Sequence, residues 1–103
     1  MTEKQRISKL QEKRICNSIE DAKLTPRSGA IGHLKSDILT SRFRIEAKTK
    51  MKPSKQITVK KEWWDKITSE AYDTNKIPVL AVSFGDGKDL VILDLKKFIE
   101  LVE

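Results

Sequence analysis

A single α/β domain, with helices packed on a mixed β-sheet, is the fold this sequence predicts, and three observations carry it. Apolar residues recur at helical spacing in residues 3–20 and again in 62–75. Between these stretches Phe43, Ile45 and Ala47 alternate with Arg44, Glu46 and Lys48, the period-2 pattern of a half-buried strand. Beyond the second stretch, two apolar runs flank Gly85-Asp86-Gly87-Lys88, a good hairpin turn.

Taken in order, residues 3–20 form an amphipathic helix whose buried stripe is Ile7, Leu10, Ile15 and Ile19, with Glu12 at its edge. Thr25-Pro26-Arg27-Ser28-Gly29 breaks the helix and starts a loop or irregular strand, and Gly29 and Gly32 give a flexible approach to Asp37. Residues 35–40 read as the next strand, bent at Ser41-Arg42 into the alternating one. Pairing the two brings Asp37 near Glu46, nine positions on. Residues 50–55 are a basic connection interrupted by Pro53, and 56–59 have the composition of one more short strand. The second helix, 62–75, turns Trp64, Ile67 and Ala71 to one side and is closed by Pro78. Strands at 79–84 and 90–93 follow, and Asp94 caps a final short helix carrying Phe98 and Leu101. The order is α-β-β-β-α-β-β-α, a sheet of mixed direction flanked by helices.

At 103 residues the chain holds one modest core. Its charged start is not a signal peptide, and its longest apolar run, 77–84, is too short for a bilayer and contains Pro78. A membrane role is therefore not expected, and the cytoplasm is the default. Cys16 is the single cysteine, which excludes an internal disulfide and a cysteine-based zinc site; it reads as a small buried hydrophobe. No Ser-His-Asp triad, phosphate-binding glycine loop or nucleotide fold is evident, so no nucleotide cofactor is expected.

The net charge of +6 is unevenly spread. Residues 42–61 carry eight basic groups against Glu46 alone, whereas 62–103 carry five basic and nine acidic groups. A lysine run is often no more than a solvated face. Here the basic excess brackets the carboxylates, which favours a polyanion docked above them. Arg6, Lys9, Lys13 and Arg14 on the first helix, with Arg27, Lys50, Lys52, Lys55, Lys60 and Lys61, are the expected DNA-backbone contacts.

A Glu-x-Lys pair on a strand is by itself usually a solvent-facing ion pair. With Asp37 alongside, the chemistry becomes more specific. Mg²⁺ takes oxygen ligands and is usually held by one or two carboxylates, with water and phosphate oxygens completing its shell. Asp37 and Glu46, with the Ala47 carbonyl, supply that protein share. Lys48 then places or deprotonates the attacking water, and Glu12 reaches the site from the first helix.

These residues resemble a known family. Arg27-Ser28-Gly29-Ala30, Asp37, Glu46-Ala47-Lys48, the Trp-bearing helix and Ile77-Pro78-Val79-Leu80 look like the PD-(D/E)xK nuclease superfamily, and most of all its small Holliday junction resolvases of archaeal type and their phage-encoded relatives. The likeness covers about residues 4–94. It implies a restriction-endonuclease-like core and a metal-dependent endodeoxyribonuclease. Asp37 and Glu46 then look like metal ligands and Lys48 like the catalytic lysine. Ser28 resembles the serine near the active site, and Glu12 the helix-one glutamate, with Glu20 as the other candidate. Ser36 stands where the motif's name has proline. The resemblance further implies Mg²⁺, with Mn²⁺ as the alternative, a homodimer, branched or duplex DNA as substrate, and a phage or mobile-element origin acting in the host cytoplasm.

The rival readings are a nicking or site-specific endonuclease on the same fold, a non-catalytic DNA-binding module, and a protein-interaction domain with a basic surface. His33 reads as a bystander loop histidine. Of Trp63 and Trp64, one anchors the helix to the sheet; the other is free to stack on a base or meet a second subunit.

Overall fold

The computed structural model describes residues 2–25 and 37–103. Ser28 and Arg27, with Gly29, Gly32, His33 and Ser36, lie outside the described residues. The chain begins with α1 (Glu3–Ser18), started by a capping box in which Thr2 accepts from the Gln5 amide and the Gln5 side chain accepts from the Thr2 amide. Next come β1 (Lys23–Leu24), β2 (Ile38–Leu39), β3 (Phe43–Thr49), α2 (Lys61–Asp73), β4 (Ile77–Ser83), β5 (Leu90–Ile92) and α3 (Leu95–Val102).

The five strands form one sheet in the order β1-β2-β3-β4-β5. β3 and β4 are parallel and every other pair is antiparallel, so β2 and β5 oppose the remaining three. A parallel pair needs a crossover, and α2 supplies it. The mixed sheet flanked by helices is thus the coarse architecture expected from sequence.

Alternation along β3 decides which helix covers which face. Phe43, Ile45 and Ala47 turn to the α1 side, where Ile45 joins Ile15, Ile38, Val79 and Ala81 in the core, with Cys16 and Ile19 packed against it. Arg44, Glu46 and Lys48 turn to the other face, where α2 lies with Ile67 and Ala71 buried. The α1 face holds the apolar core, with Gln11 and Glu12 also buried on α1; the other face carries the charged row of β3.

Several local expectations are corrected. Residues 56–59 form no strand: the sheet runs from β1 to β5 without them, and the Ser54 side chain holds Gln56 in a local turn. Helix α2 ends at Asp73, two residues before the expected end at 75, with Asn75 at φ 56°, and Pro78 does not close it. Pro78 lies inside β4 opposite Arg44, where β5 does not reach. Because Ile77 donates to the Arg42 carbonyl just before β3, the donorless nitrogen of Pro78 faces the open side and the ladder keeps all its bonds. On α1, Leu10 is exposed, and Gln11 is buried in its place.

Candidate active site

Backbone bonds fix where Asp37 stands. Its amide donates to Thr25 Oγ1 at 2.9 Å and its carbonyl accepts from the Thr25 amide at 2.8 Å, which continues the β1–β2 pairing. Past the turn, Thr40 Oγ1 accepts from the Arg42 and Phe43 amides, while Lys76 Nζ donates to the Thr40 and Ser41 carbonyls. The β2–β3 register pairs Ile38 with Ile45, so Asp37 falls beside Glu46 by continuation.

The polar row on β3 meets a matching row on α2. Asp37 Oδ2 accepts from Arg44 Nε at 2.8 Å. Glu46 Oε1 accepts from Lys66 Nζ at 3.1 Å and lies 3.9 Å from Lys48 Nζ. The Lys48 ammonium stands 4.8 Å from the centre of the Trp63 ring, with Lys60 at 5.8 Å. Trp63, Lys66 and Glu70 are spaced i, i+3 and i+7, so one side of α2 lies over Arg44, Glu46 and Lys48. Trp63 is therefore at the site rather than a mere anchor.

Burial makes this row energetically unusual. The side chains of Asp37 and Glu46 are only 4% and 3% exposed. Among the described residues, Glu46 Oε2 and Glu70 Oε1 are buried without a hydrogen-bond partner. Such oxygens are destabilising where they stand. Burial, and then the nearby Asp37 charge, push the Glu70 carboxyl above the usual range. For Lys66, burial pulls its pKa down, but the Glu46 bond and the Glu46, Glu70 and Asp37 charges outweigh this and raise it.

These donors suit a hard divalent ion. The unsatisfied Glu46 oxygen is the direct observation. Ladder alternation also points the Ala47 carbonyl to the β2 side of β3, the side of Asp37, as the Phe43 carbonyl accepting from Thr40 does. Among the described residues, no three acidic, histidine or cysteine side chains converge closely enough to hold a metal. The fit is therefore to an ion held by two carboxylates with water and phosphate oxygens, as Mg²⁺ or Mn²⁺ commonly is.

Beside the carboxylates opens a cleft of about 370 Å³, whose wall includes Lys4, Lys48, Lys50, Lys60 and Trp63. The connection that carries Lys50 is pinned to the end of β4. The Lys50 amide donates to the Ser83 carbonyl and the Ser54 amide to the Phe84 carbonyl, while Gly85, at φ 84°, admits the Lys52 carbonyl against its α-carbon. From α1, Gln11 Nε2 donates to the Lys48 carbonyl at 2.9 Å and to Asp89 at 3.2 Å.

The expected phosphate contacts do not all converge on this cleft. Arg14 is taken up in a two-bond pair with Asp89, at 2.9 and 3.0 Å, and is withdrawn from the set. Round α1 from the cleft-lining Lys4 and Ser8, Arg6 and Lys13 lie about half a turn away and Lys9 about a third of a turn. Arg6 is further paired with Glu3, Lys61 with Asp65, and Lys60 approaches Glu62 at 4.0 Å, all on the surface. Lys52 and Lys55 are exposed on the connection before α2. Glu12 is buried on α1 and, with burial, raises the Cys16 thiol's pKa. It leaves the helix on the flank opposite Arg14.

Sequence reading missed Lys66, Glu70, Lys4 and Gln11. The spacing of Lys66 and Glu70 from Trp63 was the available signal, though it gains meaning only once α2 is laid over β3. Among the described residues, no helix is long and apolar enough to cross a membrane. Compared with protein-family models, curated proteins and solved structures, the chain matches none.

Proposed function

We propose that this chain is a Mg²⁺-dependent DNA endonuclease of the PD-(D/E)xK superfamily, with a restriction-endonuclease-like core and a preference for branched DNA. One observation carries the reading: a buried carboxylate pair with an unsatisfied Glu46 oxygen stands next to a lysine that opens on a basic cleft. Asp37 and Glu46, with the Ala47 carbonyl, would hold the ion. When bound, Mg²⁺ supplies a more acidic water and a counter-charge for the scissile phosphate.

The chain's own groups do the rest. Lys48 extends from Glu46 toward the cleft and is steadied by Trp63, where it orients the water or holds a phosphate oxygen. Lys4, Lys50 and Lys60 draw in the DNA backbone without reading its bases. A shape-reading enzyme suits a domain this small, and a homodimer would present two sites for symmetric cutting. Leu95, Phe98, Ile99 and Val102 form an exposed apolar stripe on α3 that supports self-association.

Cleavage of a labelled four-way junction, beside linear duplex of the same sequences, tests this in Mg²⁺ and in EDTA. Paired, symmetric, metal-dependent nicks that disappear in Glu46→Gln are expected. Cutting of duplex at one site would replace this specificity with that of a site-specific endonuclease. A non-catalytic DNA-binding role draws on a different observation, that Arg44 and Lys66 already pair with the two carboxylates. Salt-sensitive binding with no cleavage of either substrate would favour it.

A further inference from the structure

Lys66 is the one member of the buried charge cluster that can leave it easily. Three carboxyl groups, Asp37, Glu46 and Glu70, face three cations, Arg44, Lys48 and Lys66, so the cations already balance all the negative charge these carboxyls can carry. Arg44 is mostly buried and bonded within its own hairpin, and Lys48 is held against Trp63. Lys66, in contrast, has a side chain 53% exposed and enters from the helix surface. Its ammonium is 3.1 Å from Glu46 Oε1 and 3.9 Å from Glu70 Oε1. That is the place a cation takes between two carboxylates.

Lys66 fills this place incompletely. Glu46, almost fully buried, keeps Oε2 without a hydrogen-bond partner among the described residues, and Glu70 keeps Oε1 in the same condition. A lysine ammonium is a compact charge on a flexible four-carbon stem and swings into water at little strain. A divalent ion added while Lys66 stays would give the cluster a surplus of positive charge in a poorly solvated place. One cation must yield to the other.

We propose that Lys66 is a built-in occupant of a cation site shared by Glu46 and Glu70, and that a divalent ion binds there by displacing it. The inference rests on the nuclease reading and adds Glu70 as an acidic partner and Lys66 as a competitor for the ion. Metal affinity is then set by an exchange between the chain's own ammonium and the ion in solution.

The test is direct binding of Mn²⁺ alone, followed by electron paramagnetic resonance, with no DNA present. Lys66→Met keeps the stem and removes the charge, and is expected to bind Mn²⁺ about tenfold more tightly than wild type, roughly 1.4 kcal/mol. Lys66→Arg, which can fork across both carboxylates, is expected to bind it more weakly. The opposite directions keep the test decisive even where one variant folds poorly. Adding Glu70→Gln to Lys66→Met should weaken binding again. Equal affinity in wild type and both Lys66 variants would overturn the exchange and leave the nuclease reading standing. Absence of Mn²⁺ binding in every protein would overturn both.

Discussion

A methyl group on Gly85 would sit 2.6 Å from the Lys52 carbonyl oxygen, and the φ of 84° there already suits glycine alone. Gly85→Ala is expected to cost about 2 kcal/mol in urea denaturation, because both the close approach and the backbone must give. Glu70 gives the pH counterpart. A carboxyl whose folded pKa is raised favours the fold below the ordinary carboxylate range, and that contribution is lost as pH rises through the folded pKa. At neutral pH its charge is therefore a liability, so Glu70→Gln should melt higher than wild type in EDTA at pH 7. The gap should close in acid, which calorimetry across pH would show. Asp37, Glu46 and Lys48 were legible in sequence because alternation and nine-residue spacing act locally. Gln11 was not: a polar residue amid an apolar stripe earns burial only from partners brought by β3 and the turn before β5.

Among the elements, β3 and α2 were the most legible, the first from its period of two and the second from Trp64, Ile67 and Ala71. β1 was not, since a two-residue strand has no periodicity and exists only through its pairing with β2. The 56–59 stretch shows the converse. Its composition suits a strand, but it joins no ladder, and Ile57 and Thr58 line the cleft instead. Helix α2 is seated by Ile67, which is fully buried. Ile67→Ala should destabilise the protein by about 2–4 kcal/mol in urea. It should also blunt the divergence in Mn²⁺ affinity between the Lys66 variants, because the helix no longer holds that side chain against Glu46.

For the whole molecule, the basic excess of residues 42–61 was read from sequence, but its direction was not. Folding sends Lys48, Lys50 and Lys60 to one cleft with Lys4, and turns Arg6, Lys9 and Lys13 elsewhere. If the cleft carries the DNA backbone, Lys50→Ala with Lys60→Ala should flatten the salt dependence of binding by about one unit of slope for each phosphate no longer neutralised. The matching change at Lys9 and Lys13 should do less, as fluorescence anisotropy at several salt concentrations would show. Connectivity also sets an order of events. The β2–β3 hairpin closes across a short turn, and with it come both Asp37 and Glu46, offset by Arg44 and Lys48 of the same strand. The parallel β3–β4 pairing must wait for the entire crossover, since closing a longer loop loses more chain entropy. Lys66 and Glu70 travel on that crossover. During refolding, the order of loop closure decides which cation Glu46 meets first.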